Sequence, residues 1–281
     1  MKNKLTQIIV ISLVLSSFNF LATAQKTVVP IVSLANRESD EGTKVSYGNL
    51  IGGVENGKFL DAKTTFGKLK GDEKFSLFEF TIGKKGNFSL GEIKDDSGAC
   101  PENYYVEPQI ETVANLAVGT NADWQIIPRQ PKRVSLTDAT NKKAVADVLR
   151  LRKLPKSPVK IKEAFRIDLD GDGVDEVVLV ANHYAEDGNQ NAKIGSYSFV
   201  MIRKTTGGKT QNQFISGTFY TKTNDYYDGE YRLSEIADLN GDGKMEMIVK
   251  TYGYEENWLK VFEIKAGKPS EIKILSYYCG V

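Results

Sequence analysis

One nine-residue pattern of acidic residues and glycines occurs twice in the chain and constrains its fold more than any other feature. The first copy, called here the first loop, is residues 168–176 (DLDGDGVDE), and the second loop is residues 238–246 (DLNGDGKME). Six of the nine positions are identical, and the third exchanges aspartate for asparagine. Each copy follows one strand-like apolar segment and leads directly into another. The repeat therefore predicts two similar units, each with its loop between two β-strands.

The residue types in this pattern are typical of a hard-cation site. Oxygen atoms at positions 1, 3 and 5, a backbone carbonyl at position 7 and a carboxylate at position 9 can surround Ca²⁺. Glycine at position 6 permits a sharp turn because it tolerates positive φ, and leucine at position 2 is expected to point into the core. Without a cation the acids of the first loop would repel one another, so ion binding and folding should be coupled. The alternative is a pair of acidic turns that hold no metal.

The spacing distinguishes between classes of calcium loop. An EF-hand requires glutamate at position 12 and helices on both sides, but Leu179 and Val249 occupy that position here. A nine-residue loop between strands instead resembles the FG-GAP/VCBS repeat family of integrin-like β-propellers and bacterial exported proteins. The glutamates at position 9 depart from that family's aspartate.

The resemblance implies a specific set of ligands for two calcium ions. Side chains would bind one ion in each loop, and the carbonyls of Val174 and Lys244 would contribute: Asp168, Asp170, Asp172 and Glu176 in the first loop, and Asp238, Asn240, Asp242 and Glu246 in the second. Because the second loop has one carboxylate fewer, we expect the first site to be the tighter one. Exported calcium modules commonly bind with dissociation constants of about 10⁻⁴–10⁻³ M.

The rest of the chain predicts a mainly β protein. Short apolar runs separated by turn residues predict a small β domain over residues 25–137, with Asn56-Gly57 as a hairpin turn. Residues 138–158 predict a helix, capped by Asp138 or Asn141, and a linker that contains Pro155 and Pro158.

Residues 159–281 predict antiparallel meanders that resemble propeller blades. A seven-bladed ring at this spacing would need more than roughly 400 residues, and the chain has 281. Either the N-terminal half supplies further blades, giving a ring of about four, or the repeats form an open two-sheet unit. The helix interrupts the pattern and favours the open unit.

The N-terminus and the cysteines indicate export. Lys2 and Lys4, an apolar run and a small-residue cleavage pattern at residues 22–24 predict a signal peptide over residues 1–24. No later segment is long and apolar enough to span a membrane, so we expect a secreted or periplasmic protein. In an oxidising compartment Cys100 and Cys279 have only each other as partners. They are expected either to form a disulfide or to be two buried thiols.

Composition narrows the possible functions. Near-equal numbers of basic (37) and acidic (36) residues argue against a nucleic-acid binder, and a single histidine excludes a His-rich zinc centre. His183 is the only possible imidazole base, and no nucleophile motif accompanies it.

We therefore expect a calcium-stabilised binding or structural module for a protein or a glycan, with aromatic residues near the second loop as possible contacts: Tyr226, Tyr227, Tyr252, Tyr254 and Trp258. The alternative is a hydrolase or lyase that acts on an extracellular polymer through paired carboxylates.

Overall fold

The computed structural model describes a protein built mainly from antiparallel β-strands. The described residues are 28–38, 44–71, 73–81, 83–89, 93–95, 100, 103–106, 116–184, 193–222 and 229–280. The predicted signal peptide lies outside them. The mainly β fold predicted from the sequence is confirmed.

The N-terminal sheet has eight strands in the order β5-β4-β8-β1-β2-β7-β6, with β3 paired to β2. Its strands are β1 (Val29–Glu38), β2 (Lys44–Glu55), β3 (Lys58–Leu60), β4 (Lys74–Glu79), β5 (Gly83–Ser89), β6 (Ile93–Asp95), β7 (Tyr104–Val106) and β8 (Leu116–Thr120). A short helix, α1 (Ala62–Phe66), packs beside it. The predicted hairpin turn joins β2 to β3, where Asn56 and Gly57 have φ of 53° and 72°.

Two further sheets contain the repeated loops. The five-stranded sheet has the order β13-β12-β11-β10-β9, and the four-stranded sheet has the order β14-β15-β16-β17. Their strands are β9 (Lys132–Arg133), β10 (Ile161–Ile167), β11 (Glu176–His183), β12 (Tyr197–Thr206), β13 (Lys209–Phe219), β14 (Glu230–Ala237), β15 (Glu246–Tyr252), β16 (Glu256–Lys265) and β17 (Lys268–Gly280). We call β10–β13 the first meander and β14–β17 the second. Consecutive strands pair in both, as predicted for blade-like units.

The predicted helix is α2 (Ala139–Leu151), and it begins after Asp138, whose carboxylate accepts a hydrogen bond from the backbone N–H of Asn141 at 2.8 Å. This hydrogen bond gives a partner to one of the backbone N–H groups that have none within the first turn of the helix. Val145 and Leu149 pack against the first meander. Leu151 shares the apolar spacing but lies in the last turn, where it is 77% exposed.

One hydrophobic core joins the three sheets. Ile31 and Ile51 of the N-terminal sheet belong to the same buried cluster as Val178 of the first meander and Val249 of the second. The meanders therefore cover apolar surface of the N-terminal sheet as well as each other. Within the described part of the chain, no helix has the length and apolar character needed to cross a membrane.

Candidate metal centre

Each repeated loop connects two paired strands of its meander. The first loop joins β10 to β11, with Ile167 opposite Glu176, and the second joins β14 to β15, with Ala237 opposite Glu246. The leucine at position 2 is buried in both loops, as predicted. The strand pairing fixes the two ends of each loop, and this leucine fixes its beginning against the core.

The first aspartate of each loop organises the backbone around its carboxylate. Asp168 accepts hydrogen bonds from the N–H groups of Gly171 at 2.7 Å and Gly173 at 3.0 Å. Asp238 accepts the equivalent bonds from Gly241 at 2.7 Å and Gly243 at 2.9 Å. All four glycines have φ between 74° and 84°, a region that other residues rarely adopt. Glycine at positions 4 and 6 thus lets the loop curl around the carboxylate.

The last glutamate of each loop closes it from the opposite end. The N–H of the position-2 leucine donates to the Oε2 atom of Glu176 in the first loop and of Glu246 in the second, each at 2.8 Å. Both glutamates are buried. Because this bond recurs with the same length, the two loops have the same internal framework. The longer glutamate at position 9 therefore still reaches the interior of the loop.

Burial makes the enclosed carboxylates costly to ionise. Desolvation raises the pKa of Glu246 to about 8 and raises the pKa of Asp238 above its ordinary value. Among the described residues, no lysine or arginine nitrogen lies within 4.0 Å of the carboxylates of the second loop. A cation placed there would offset this cost. The donors are all oxygen atoms, so the residues fit a hard cation such as Ca²⁺.

The remaining predicted ligands lie along the outer part of each loop. Asp172 accepts from the N–H of Val174 at 2.9 Å, and Asp242 accepts from the N–H of Lys244 at 2.8 Å. Asn240 accepts from the N–H of Asp242 at 3.0 Å. These bonds hold positions 3 to 7 in a tight turn, and the position-5 aspartates are exposed. In the first loop, oxygen atoms of Asp168, Asp170 and Glu176 lie within 4.8 Å of one another.

A lysine that sequence reasoning did not select lies inside the first loop. The Lys204 ammonium is 3.0 Å from the carboxylate of Asp170, 2.7 Å from that of Asp172 and 2.6 Å from that of Glu176. These contacts raise the pKa of Lys204 and lower that of Asp172. The pKa of Glu176 is nevertheless raised, because its desolvation outweighs the attraction of the ammonium. No sequence motif marks Lys204, because its place in the loop depends on the strand register that sets it opposite Glu176.

The two loops lie in direct contact, although 70 positions separate them in sequence. The N–H of Met245 donates to the carbonyl of Leu169 at 2.8 Å. Arg129 joins them further, because its guanidinium donates to the carbonyl of Asp168 at 2.5 Å and to that of Gly243 at 2.7 Å. The two loops therefore lie side by side, and of their predicted acidic ligands Asp168, Asp170 and Glu176 come within 4.8 Å of one another.

Residues 121–131, called here the bridging segment, lie against both loops. The indole N–H of Trp124 donates to the carbonyl of Asp238 at 2.8 Å, and the N–H of Asp238 donates to the carbonyl of Ile126 at 2.7 Å. A Cβ atom on Gly241 would lie only 3.0 Å from the Trp124 ring. The bridging segment carries no motif of its own, so nothing in the sequence pointed to Trp124 or Arg129.

A cavity of about 210 Å³ opens beside the second loop. Its walls come from the hairpin turn after β2, the bridging segment and the loop itself: Val29, Val54, Asn56, Gly57, Asp123, Trp124, Asn240 and Gly241. Residues that carry an aromatic ring, an amide or a carboxylate are thus among those that line a space beside the second loop.

The structure describes some of the other candidates from the sequence. His183 ends β11 and packs beside Tyr197, and the acids at positions 186 and 187 lie outside the described residues. Tyr226 and Tyr227 also lie outside them. Tyr252 is covered by Arg232 and Lys250, Trp258 packs on Tyr231, and Tyr254 is 44% exposed.

In comparisons with known proteins, no family model, no curated protein and no solved structure matched this chain.

Proposed function

We propose that this protein is an exported calcium-binding β-repeat protein that acts as a binding or structural module for a protein or a glycan. The observation that carries the proposal is the recurrence of one loop framework in two meanders, with the same hydrogen bonds and the same buried glutamate. The proposed ligands are those that the FG-GAP/VCBS resemblance implies. Export rests on the N-terminal sequence pattern and agrees with the disulfide between Cys100 and Cys279.

A structural role for calcium follows from the position of the loops. Each loop joins paired strands, both loops contact each other, and the bridging segment ties them to the N-terminal sheet. An ion bound there would hold the ends of four strands together. Calcium binding to the folded state alone then stabilises that state by mass action.

The cavity beside the second loop supports a glycan as the ligand of the module. An indole ring packs well against the apolar face of a sugar, and amide and carboxylate groups bind its hydroxyls. Trp124 and Asn240 place both kinds of group at one opening. Since Asn240 is also a proposed calcium ligand, ion binding would fix one wall of the cavity.

The hydrolase or lyase alternative needs a pair of carboxylates that a polymer can reach. One pair of neighbouring carboxylates outside the loops is Glu79 and Glu235, whose mutual repulsion adds to the raised pKa of Glu235. Both are buried, and Glu235 is fully enclosed between the N-terminal sheet and the second meander. This pair does not face a cleft, so it gives the alternative no support.

Calcium titration of the purified protein tests the proposal. Calorimetry should detect binding with a dissociation constant of about 10⁻³ M or tighter, and calcium should raise the melting temperature. Asp242→Ala should abolish binding in the second loop. Asp175→Asn is a matched control, because Asp175 is an exposed acid of the first loop that is not a proposed ligand. Unchanged melting and no binding heat at millimolar calcium would refute the proposal.

A glycan array probed with calcium and with chelator then tests the ligand. Binding should require calcium and should be lost in Trp124→Ala. Release of products from a panel of extracellular polymers would instead identify an enzyme.

A further inference from the structure

The first loop already contains a positive charge. The Lys204 ammonium contacts three of the four side chains proposed to bind calcium there, at 2.6 to 3.0 Å. The Lys204 side chain is only 15% exposed. Such distances are those of charge-assisted hydrogen bonds. The ammonium thus engages carboxylates that a divalent ion would need as ligands.

The position of Lys204 follows from strand pairing. In the β11–β12 pair, Lys204 lies directly opposite Glu176, the last residue of the first loop. Directly opposed side chains share one face of the sheet and lie about 5 Å apart at Cβ. The lysine stem therefore needs only to turn toward the loop for its ammonium to reach the carboxylates.

The charges in the first loop are distributed around this ammonium. The carboxylate of Asp168 has partners other than Lys204. It accepts hydrogen bonds from three backbone N–H groups and lies 4.0 Å from the guanidinium of Arg129. The Oε1 atom of Glu176 is buried, and its contact is the ion pair with Lys204. Removal of the lysine would leave three carboxylates facing one another around an unfilled position. That is the condition under which a divalent ion binds.

The second loop is an internal comparison without this lysine. Met247 lies opposite Phe262, and the same register continued by one residue places Glu263 opposite Glu246. By this continued register Glu263 corresponds to Lys204 of the first meander, and its carboxylate lies 3.9 Å from the Lys265 ammonium. An acid at this position favours a cation in the loop, whereas a lysine competes with one.

We propose that Lys204 is a built-in cation of the first loop, so that calcium enters this loop only by displacing the ammonium and binds the second loop first. This inference rests on the proposed function and assigns the order in which its sites fill. It reverses the order that carboxylate number alone predicts. The apparent affinity of the first loop is reduced by the fraction of molecules in which Lys204 fills it.

Lys204→Met tests the inference, because methionine keeps the unbranched stem and removes the charge. In an Asp242→Ala background, which silences the second loop, we expect Lys204→Met to tighten calcium binding to the first loop by about tenfold or more. Without metal, Lys204→Met should lower the melting temperature, and calcium should restore it. Lys162→Met removes the charge of an exposed lysine on β10. It should change neither the calcium affinity of the first loop nor the melting temperature without metal.

The reciprocal variant is Glu263→Lys, which places an ammonium opposite Glu246. It should weaken calcium binding to the second loop by about tenfold or more. Glu271→Lys is the matched control, since it reverses a charge of similar exposure on the neighbouring strand β17. Glu271→Lys should weaken calcium binding to the second loop by less than Glu263→Lys does.

The outcomes separate this inference from the proposed function. If the wild-type second loop binds calcium but Lys204→Met leaves first-loop affinity unchanged, the inference is overturned and the proposed function stands. If the wild-type protein binds no calcium and Lys204→Met gains one ion, the displacement of calcium by Lys204 stands, whereas the filling order and calcium binding by the native protein are refuted. Absence of binding in every variant overturns both.

Discussion

At the scale of single residues, Glu235 shows how a buried carboxyl group is accommodated outside the loops. Its Oε2 atom accepts a hydrogen bond from the N–H of Phe80 at 2.9 Å, and a β-bulge between Leu233 and Glu235 interrupts the regular alternation of β14. Desolvation is the main cause that raises the pKa of Glu235 well above 4.5, and the nearby Glu79 adds to it. The folded protein therefore favours the protonated form.

We predict that Glu235 makes the protein less stable as the pH rises. Because the folded pKa is the higher one, the unfolded chain releases this proton first, and stability is lost as the pH rises above about 4.5. Glu235→Gln keeps the acceptor for Phe80 without the charge. Its free energy of unfolding should exceed that of the wild type by roughly 1–3 kcal/mol at pH 8 and by less at pH 5. Denaturant unfolding at both pH values measures the difference, and a gain that is equal at both would contradict the prediction.

At the scale of elements, local patterns predicted most of the C-terminal half. The antiparallel meanders predicted over residues 159–281 are observed as β10 to β17. Gly207-Gly208, a pair of turn residues in the sequence, forms the turn between β12 and β13. Each of these strands and turns can be predicted from its own apolar runs and turn residues, without knowledge of distant contacts. The role of Lys204 could not be predicted in the same way, because it depends on which residue of β12 pairs with Glu176.

The two leucines of α2 provide a matched test of helix packing. Leu149 is 1% exposed and packs on the first meander, whereas Leu151 is 77% exposed. Leu149→Ala should lower the free energy of unfolding by roughly 2–5 kcal/mol, and Leu151→Ala by less than about 0.5 kcal/mol. Equal losses in the two variants, measured by chemical denaturation, would show that this helix face is wrongly assigned.

At the scale of the whole molecule, contacts between distant segments determine what the sequence left open. The described strands form three open sheets around a common core, and sequence patterns did not indicate how these sheets meet. Arg129 and Trp124 belong to a segment without a motif, yet they contact both loops. Periodicity describes each element alone, so it cannot predict such contacts. The division of the chain into two domains stays a prediction.

The disulfide is a whole-molecule feature that the sequence did indicate. Cys100 and Cys279 are bonded across a separation of 179 positions, with Cα atoms 5.1 Å apart. The bond ties β17 to the N-terminal half, and a long closed loop restricts the unfolded chain strongly. Reduction should therefore lower the free energy of unfolding by roughly 2–5 kcal/mol. Unfolding curves with and without reductant measure this, with the double variant Cys100→Ser, Cys279→Ser as the control that reductant should leave unchanged.

A crystal structure determined with millimolar calcium tests the central claim most directly. The account predicts an ion in the second loop, held at about 2.3–2.6 Å by oxygens of Asp238, Asn240, Asp242, Lys244 and Glu246. A structure in which neither loop holds an ion, and in which the buried Glu246 has no cation beside it, would contradict this account.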